Sequence, residues 1–121
     1  MSTILVVDDE PSIAESIAEI LSGEGYDVRM APNGRAALEA LESGDVGLVL
    51  LDHMMPLMDG GQLLAEMDVR GHLGRIPVVM VTAVPEHLLP GPKRWCAYLG
   101  KPFELDDLLA LVARHLTRTG H

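Results

Sequence analysis

Three short apolar runs, residues 4–7, 46–51 and 77–81, each stop abruptly at a side chain carrying oxygen: Asp8, Asp52 and Thr82. Runs this short, with no polar alternation, fit strands covered on both faces, as in a parallel sheet. Parallel neighbours need long crossovers, and the intervening sequence can supply them. Pro11 suits the first turn of a helix. Ile13, Ile17, Ile20 and Leu21 follow at helical spacing beside Ala14 and Ala18, until Gly23 and Gly25 end the pattern. Residues 26–30 read as a shorter second strand. Asn33 can cap a helix over 34–42, with Ala37, Leu38 and Leu41 inward.

After Asp52, a loop over 53–60 contains Pro56 and Asp59-Gly60. A helix over 62–70 then places Leu63, Leu64 and Met67 on one face. Pro85, Pro90, Gly91 and Pro92 interrupt any helix between Ala83 and Arg94, leaving one or two turns at most. A fifth short strand lies within 95–100. The last helix, over 104–116, presents Leu105, Leu108, Leu109, Val112 and Leu116. Strand and helix therefore alternate five times, with one weak helix. This is the pattern of an α/β parallel sheet with helices on both faces and right-handed crossovers.

The chain has 121 residues, which suits one domain over 1–121 with one compact interior. Hydrophobic residues make up 48% and aromatics only 3%, so that interior is aliphatic. The formal net charge of −9 argues against a nucleic-acid-binding surface and against docking on an anionic membrane. Cys96 is the single cysteine, so no intrachain disulfide forms. The N-terminus shows no secretory signal, and no apolar stretch approaches the roughly 18 residues that span a bilayer. A cytoplasmic location is expected.

Ligands of open parallel sheets bind beyond the carboxyl ends of the strands. Those ends carry Asp8 and Asp9, Asp52, Thr82 and Lys101. Carboxylates packed together resist full ionisation, and a hard divalent cation relieves the conflict. Oxygen ligands with room for water and phosphate suit Mg²⁺. A carboxylate can also attack phosphorus, giving an aspartyl phosphate. In that chemistry Asp8 and Asp9 hold Mg²⁺ and Asp52 is the nucleophile. Lys101 pairs with the phosphoryl oxygens, and Thr82 donates a hydrogen bond to them.

Four motifs then carry a resemblance. They are Val6-Val7-Asp8-Asp9-Glu10-Pro11; Leu51-Asp52-His53-Met54-Met55-Pro56-Leu57-Met58-Asp59-Gly60; Thr82-Ala83; and Tyr98-Leu99-Gly100-Lys101-Pro102-Phe103. In this order the chain resembles, over essentially its whole length, the receiver domain of bacterial two-component response regulators. The resemblance implies a flavodoxin-like (βα)5 three-layer sandwich with strand order 2-1-3-4-5. It implies that Asp52 accepts phosphate from a histidine kinase or a histidine phosphotransfer protein. It adds the backbone carbonyl of Met54 to the Mg²⁺ ligands Asp8, Asp9 and Asp52. Thr82 and Tyr98 become a switch pair, and the Lys101-Pro102 bond becomes cis. The chain departs from the family in the short, proline-rich stretch 84–93 and in Arg94-Trp95-Cys96, where small residues are usual.

Plainer roles suit other residues. Asp59-Gly60 reads as a turn and helix start, and Met54, Met55 and Met58 as loop packing. His53, His72, His87, His115 and His121 read as surface residues, with the His53 side chain turned away from Asp52. Cys96 reads as an ordinary small side chain. Tyr98 suits either the switch or a half-buried core position. Trp95 suits packing more than a role as partner anchor. Two alternatives to the switch are a phosphorylation-independent interaction module that retains the pocket, and a Mg²⁺-dependent hydrolase. The hydrolase lacks a second acid for general acid–base work and a substrate-covering domain, so no external turnover is expected, only self-phosphorylation and slow self-dephosphorylation. An effector domain, a downstream protein partner and a homodimer are left open.

Overall fold

A computed structural model describes residues 2–116. The elements are β1 (Thr3–Val7), α1 (Pro11–Gly23), β2 (Asp27–Ala31), α2 (Gly34–Leu41), β3 (Val46–Leu51), α3 (Gly60–Val69), β4 (Val78–Thr82), a 3₁₀ turn (Glu86–Leu88), β5 (Ala97–Gly100) and α4 (Leu105–His115). All strand pairs are parallel, in the order β2-β1-β3-β4-β5. The expected fold class therefore holds, with a 3₁₀ turn where the fourth of five helices would lie.

The apolar runs form strands for the reason their composition suggests: every residue of β1, β3 and β4 is buried. The alternation of side chains across each strand sorts them into two clusters. Leu5, Val7, Val49, Leu51 and Met80 pack with Ala37, Leu41, Leu63 and Met67 of α2 and α3. Ile4, Val6, Leu48, Leu50 and Val81 pack with Ile17, Leu21, Leu108 and Val112 of α1 and α4. Leu105 departs from the expected inward face: it is the first residue of α4 and is 47% exposed, while Leu108 and Val112 are the buried residues of that helix.

Boundaries shift by small amounts with clear causes. β2 runs over Asp27–Ala31, one residue later than expected. β4 begins at Val78 and contains Thr82; the Pro77 carbonyl still accepts from Val49 N–H, but proline has no donor to return. α3 starts at Gly60, two residues early. There Asp59 accepts from Gln62 N–H, and Gln62 accepts from Asp59 N–H, a reciprocal capping box. Asn33 caps α2 through Ala36 N–H, as expected.

The surface assignment of the histidines is corrected at His72, which is only 4% exposed. The α3–β4 connection folds over it: His72 N–H donates to Met67 O, and its carbonyl accepts from Arg75 and Ile76. Its ring lies between Glu42 and Arg75, with Nε2 3.4 Å from Glu42 Oε1 but in no hydrogen bond. His87 is exposed, whereas His53 and His115 are half-buried; His121 lies outside the described residues.

Trp95 is packed, at 8% exposed, beside Leu89 in the α2/α3 cluster, with Val84 and Tyr98 against it. It covers the flank left open by the missing helix.

Gly60 carries the tightest backbone approach to the pocket loop. A Cβ there would sit 2.8 Å from His53 Cα and 3.1 Å from Asp52 O, neither of which can swing aside. Gly60→Ala is expected to lower the unfolding free energy by about 1–3 kcal/mol through overpacking. Gly23→Ala, where a Cβ meets nothing within 4 Å, is expected to raise it by about 0.4–1 kcal/mol. Urea unfolding of the two variants beside wild type checks both signs.

Candidate functional site

The carboxyl ends of β1 and β3 deliver the acids. Asp52 N–H donates to Val7 O and Asp8 N–H to Ala31 O, so the sheet ladder fixes both backbones as they leave their strands. Asp8 is 4% and Asp52 5% exposed, and Asp9 is half-buried. One carboxylate oxygen from each of Asp8, Asp9 and Asp52 lies within 4.8 Å of the others.

Asp8 Oδ1 accepts from Glu10 N–H at 2.9 Å, and Asp52 Oδ1 accepts from Met54 N–H at 3.1 Å. The remaining oxygens share one cation: Lys101 Nζ is 2.7 Å from Asp8 Oδ2 and 3.1 Å from Asp52 Oδ2. Lys101 is itself rooted by its N–H, which donates to Thr82 O at 2.9 Å. Burial alone would push the Lys101 ammonium down, but the hydrogen bonds to Asp8 and Asp52 outweigh it and hold its pKa above the ordinary lysine value.

Three carboxylates less one ammonium leave a formal charge of −2 in a largely enclosed rim. Among the described residues Asp9 makes no hydrogen bond or ion pair. A hard divalent cation matches both the charge and the all-oxygen donor set, and the residues present therefore fit Mg²⁺.

Thr82 is fully buried at the end of β4, and its Oγ1 accepts from Val84 N–H at 3.4 Å. The carbonyl of the same Val84 accepts from Tyr98 Oη–H at 2.6 Å. Val84 thus receives Thr82 on one side and Tyr98 on the other. Sequence reasoning missed this bridge, because backbone groups carry it and the Val84 side chain gives no signal. It also missed Glu86, whose Oε2 accepts from Trp95 Nε1–H at 2.8 Å.

The loop after Asp52 is folded on itself: Met55 and Gly60 N–H both donate to His53 O, and Met58 N–H donates to Pro56 O. The His53 ring lies towards Gly61 and makes no hydrogen bond to Asp52. Met54 is 61% exposed and Met55 is buried. Asp59 caps α3, as expected. The Lys101-Pro102 peptide is cis, as expected, and so is Gly91-Pro92. Cys96 is exposed, its Sγ 3.6 Å from His115 Nδ1, and burial of part of the thiol pushes its pKa up.

Comparison with known proteins gives one answer. The response regulator receiver domain matches residues 4–113. The chain is 38% identical over 119 residues to response regulator MprA of Mycolicibacterium vanbaalenii, covering 96% of this chain and 51% of that protein. It is 36% identical over 119 residues to regulatory protein AtoC of Escherichia coli, covering 96% and 25%. The chain thus spans about half the length, or less, of these curated relatives. Among solved structures it is similar to a CheY-like receiver domain protein from Methanospirillum hungatei, with a TM-score of 0.85, 30% identity and 95% and 94% of the two chains covered. It is also similar to the Thermotoga maritima response regulator TrrA in complex with Mg²⁺ and BeF, with a TM-score of 0.84, 35% identity and 96% and 100% covered.

Two measurements follow from this geometry. Mg²⁺ is expected to raise the thermal midpoint of the wild type, and Asp8→Asn and Asp9→Asn are each expected to weaken its apparent affinity about tenfold or more. A Mg²⁺ titration of the midpoint reads both. The Lys101 pKa is higher folded than unfolded, so its pairing contributes fully below the ordinary lysine value and is lost as pH climbs through the raised folded value. The stability gap between wild type and Lys101→Met is therefore expected to stay flat across neutral pH and to close only in the alkaline range.

Proposed function

The chain belongs to the response regulator receiver domain family, and from that premise we propose that it is a phosphoacceptor switch with Asp52 as acceptor. It is a signalling domain rather than a substrate-turnover enzyme. The observation that carries the assignment is the shared ammonium: Lys101 touches both Asp8 and Asp52 inside a three-acid cluster.

In this reading an Asp52 carboxylate oxygen forms the new bond to phosphorus. The donor's P–N bond (phosphohistidine) or P–O bond (an acyl phosphate) breaks, and the leaving group departs with the electron pair. Lys101 keeps Asp8 and exchanges Asp52 Oδ2 for a phosphoryl oxygen. Thr82 Oγ1 takes Val84 N–H as acceptor, which leaves its own hydrogen for a second phosphoryl oxygen. Asp8, Asp9, Asp52 and the Met54 carbonyl would hold Mg²⁺, which when bound would supply positive charge to stabilise the transferring group.

Tyr98 completes the switch with Thr82, and its bond to Val84 O supports that pairing. The donor is a histidine kinase or phosphotransfer protein. An apolar groove formed by Ile13, Ile17 and Ile20 of α1 with Pro102 and Phe103 reaches Lys101 and suits a helix carrying the donor histidine. The site lies in a single receiver domain. Among the described residues no helix is long and apolar enough to cross a membrane, and we place the protein in the cytoplasm.

Incubation with Mg²⁺ and acetyl phosphate is expected to add one labile phosphate, read by intact mass. The gain should vanish without Mg²⁺ and in Asp52→Ala. A folded, Mg²⁺-binding wild type that takes up no phosphate from acetyl phosphate or from histidine-phosphorylated donors would overturn the assignment.

A further inference from the structure

Residues 85–94, which stand where a helix would lie, form a strap tied to the sheet edge in two places. The first tie is Tyr98 Oη–H to Val84 O. The second is Trp95 Nε1–H to Glu86 Oε2, with Lys93 Nζ 3.5 Å from the same oxygen and 6.0 Å over the indole ring. Both ties start in the segment after β4; one ends on β5 itself at Tyr98 and the other on Trp95 just before it, with Pro85 between Val84 and Glu86 in the chain. Proline fixes one torsion and restricts the residue before it. A displacement of Val84 is therefore carried to the Glu86 backbone. Trp95 cannot follow: it is packed in the core, and the next residue, Cys96, donates its N–H to Val78 O.

Between the ties, only Leu89 is buried; His87, Leu88, Pro90, Gly91, Pro92 and Lys93 are exposed. Beyond Lys93, the half-buried Arg94 reaches the exposed Asp68 of α3 at 3.4 Å. The Trp95 hydrogen bond, with help from Lys93, also holds the Glu86 carboxyl below its usual range.

We propose that the Glu86–Trp95 bond is a latch on this strap, opened when a phosphoryl group on Asp52 draws Thr82, and with it Val84, toward the pocket. The inference rests on the switch reading above and adds which bond breaks and which surface changes. The latch bridges fixed and movable parts: Val84 N–H is already on Thr82 Oγ1, Glu86 moves with Val84, and the indole stays. Opening removes one of the strap's two ties to the sheet edge and loosens residues 86–93, which are exposed except at Leu89. Because coupling is reciprocal, a broken latch also favours the phosphorylated pocket.

Hydrogen exchange of residues 86–93, followed by mass spectrometry with Mg²⁺ and acetyl phosphate, tests this on the full chain. Intact mass is read in parallel. Phosphorylated wild type is expected to exchange about fivefold faster there, the change for loss of one hydrogen bond. Glu86→Ala should exchange fast with or without phosphate. Glu86→Gln, which keeps an acceptor for the indole, should behave like wild type. Phosphate uptake by wild type with unchanged exchange would overturn the latch and leave the switch reading standing. Unchanged exchange in a folded Glu86→Ala would also overturn it. Absence of phosphate uptake, seen by mass, would overturn the switch reading and the latch together.

Discussion

The carboxyl edge of the sheet is organised by one electrostatic conflict. Asp8, Asp9 and Asp52 bring oxygens within 4.8 Å of one another, and like charges at that range in a poorly hydrated rim repel strongly. Lys101 answers part of that repulsion from 93 residues away from Asp8 and 49 away from Asp52 in sequence. Its reach explains why β5 must stand beside β4: only there does Lys101 N–H meet Thr82 O while its ammonium extends to Asp8 and Asp52. One lysine thus ties together the ends of β1, β3, β4 and β5. The charge it leaves uncompensated makes the rim receptive to a divalent cation and to the chemistry that such a cation supports.

The framework behind the rim is of a different kind. β1, β3 and β4 are buried on both faces between two aliphatic clusters, and close-packed interiors of this sort resist small displacements. The rim is held by single hydrogen bonds and ion pairs instead. A change at Asp52 therefore meets a stiff sheet behind it and softer contacts beside it, among them Thr82 to Val84 and Val84 to Tyr98. Those softer contacts lie sideways along the strand ends, toward the connection between β4 and β5.

The strands and the acids were legible in the sequence because both depend on residue type at fixed spacing. Apolar runs that end on Asp8, Asp52 and Thr82 place those groups on one edge with little freedom for error, and the interruptions at Pro85, Pro90 and Pro92 correctly deny a long helix there. What was not legible depends on contacts between distant segments. His72 looks like a loop residue, yet the turn from α3 to β4 closes over it. The early start of α3 at Gly60 follows from the capping box and from the closeness of His53, neither of which an isolated Asp59-Gly60 pair reveals. The bridge at Val84 uses only peptide atoms, so no side-chain pattern could have announced it.

The missing helix also changes what completes the core. A helix on that flank would bury several aliphatic side chains; here Trp95 does much of that work with Leu89, since one indole covers about 150–250 Å². An indole differs from aliphatic side chains in one respect that matters: buried, it still needs a partner for its N–H. Glu86 is that partner, and Glu86 sits two residues beyond Val84. The choice of tryptophan to close the core therefore creates a polar contact that aliphatic packing would not have required, and it places that contact two residues from Val84, where Thr82 and Tyr98 meet. In this chain the completion of the core and the behaviour of the strap are the same structural fact, because a single side chain serves both.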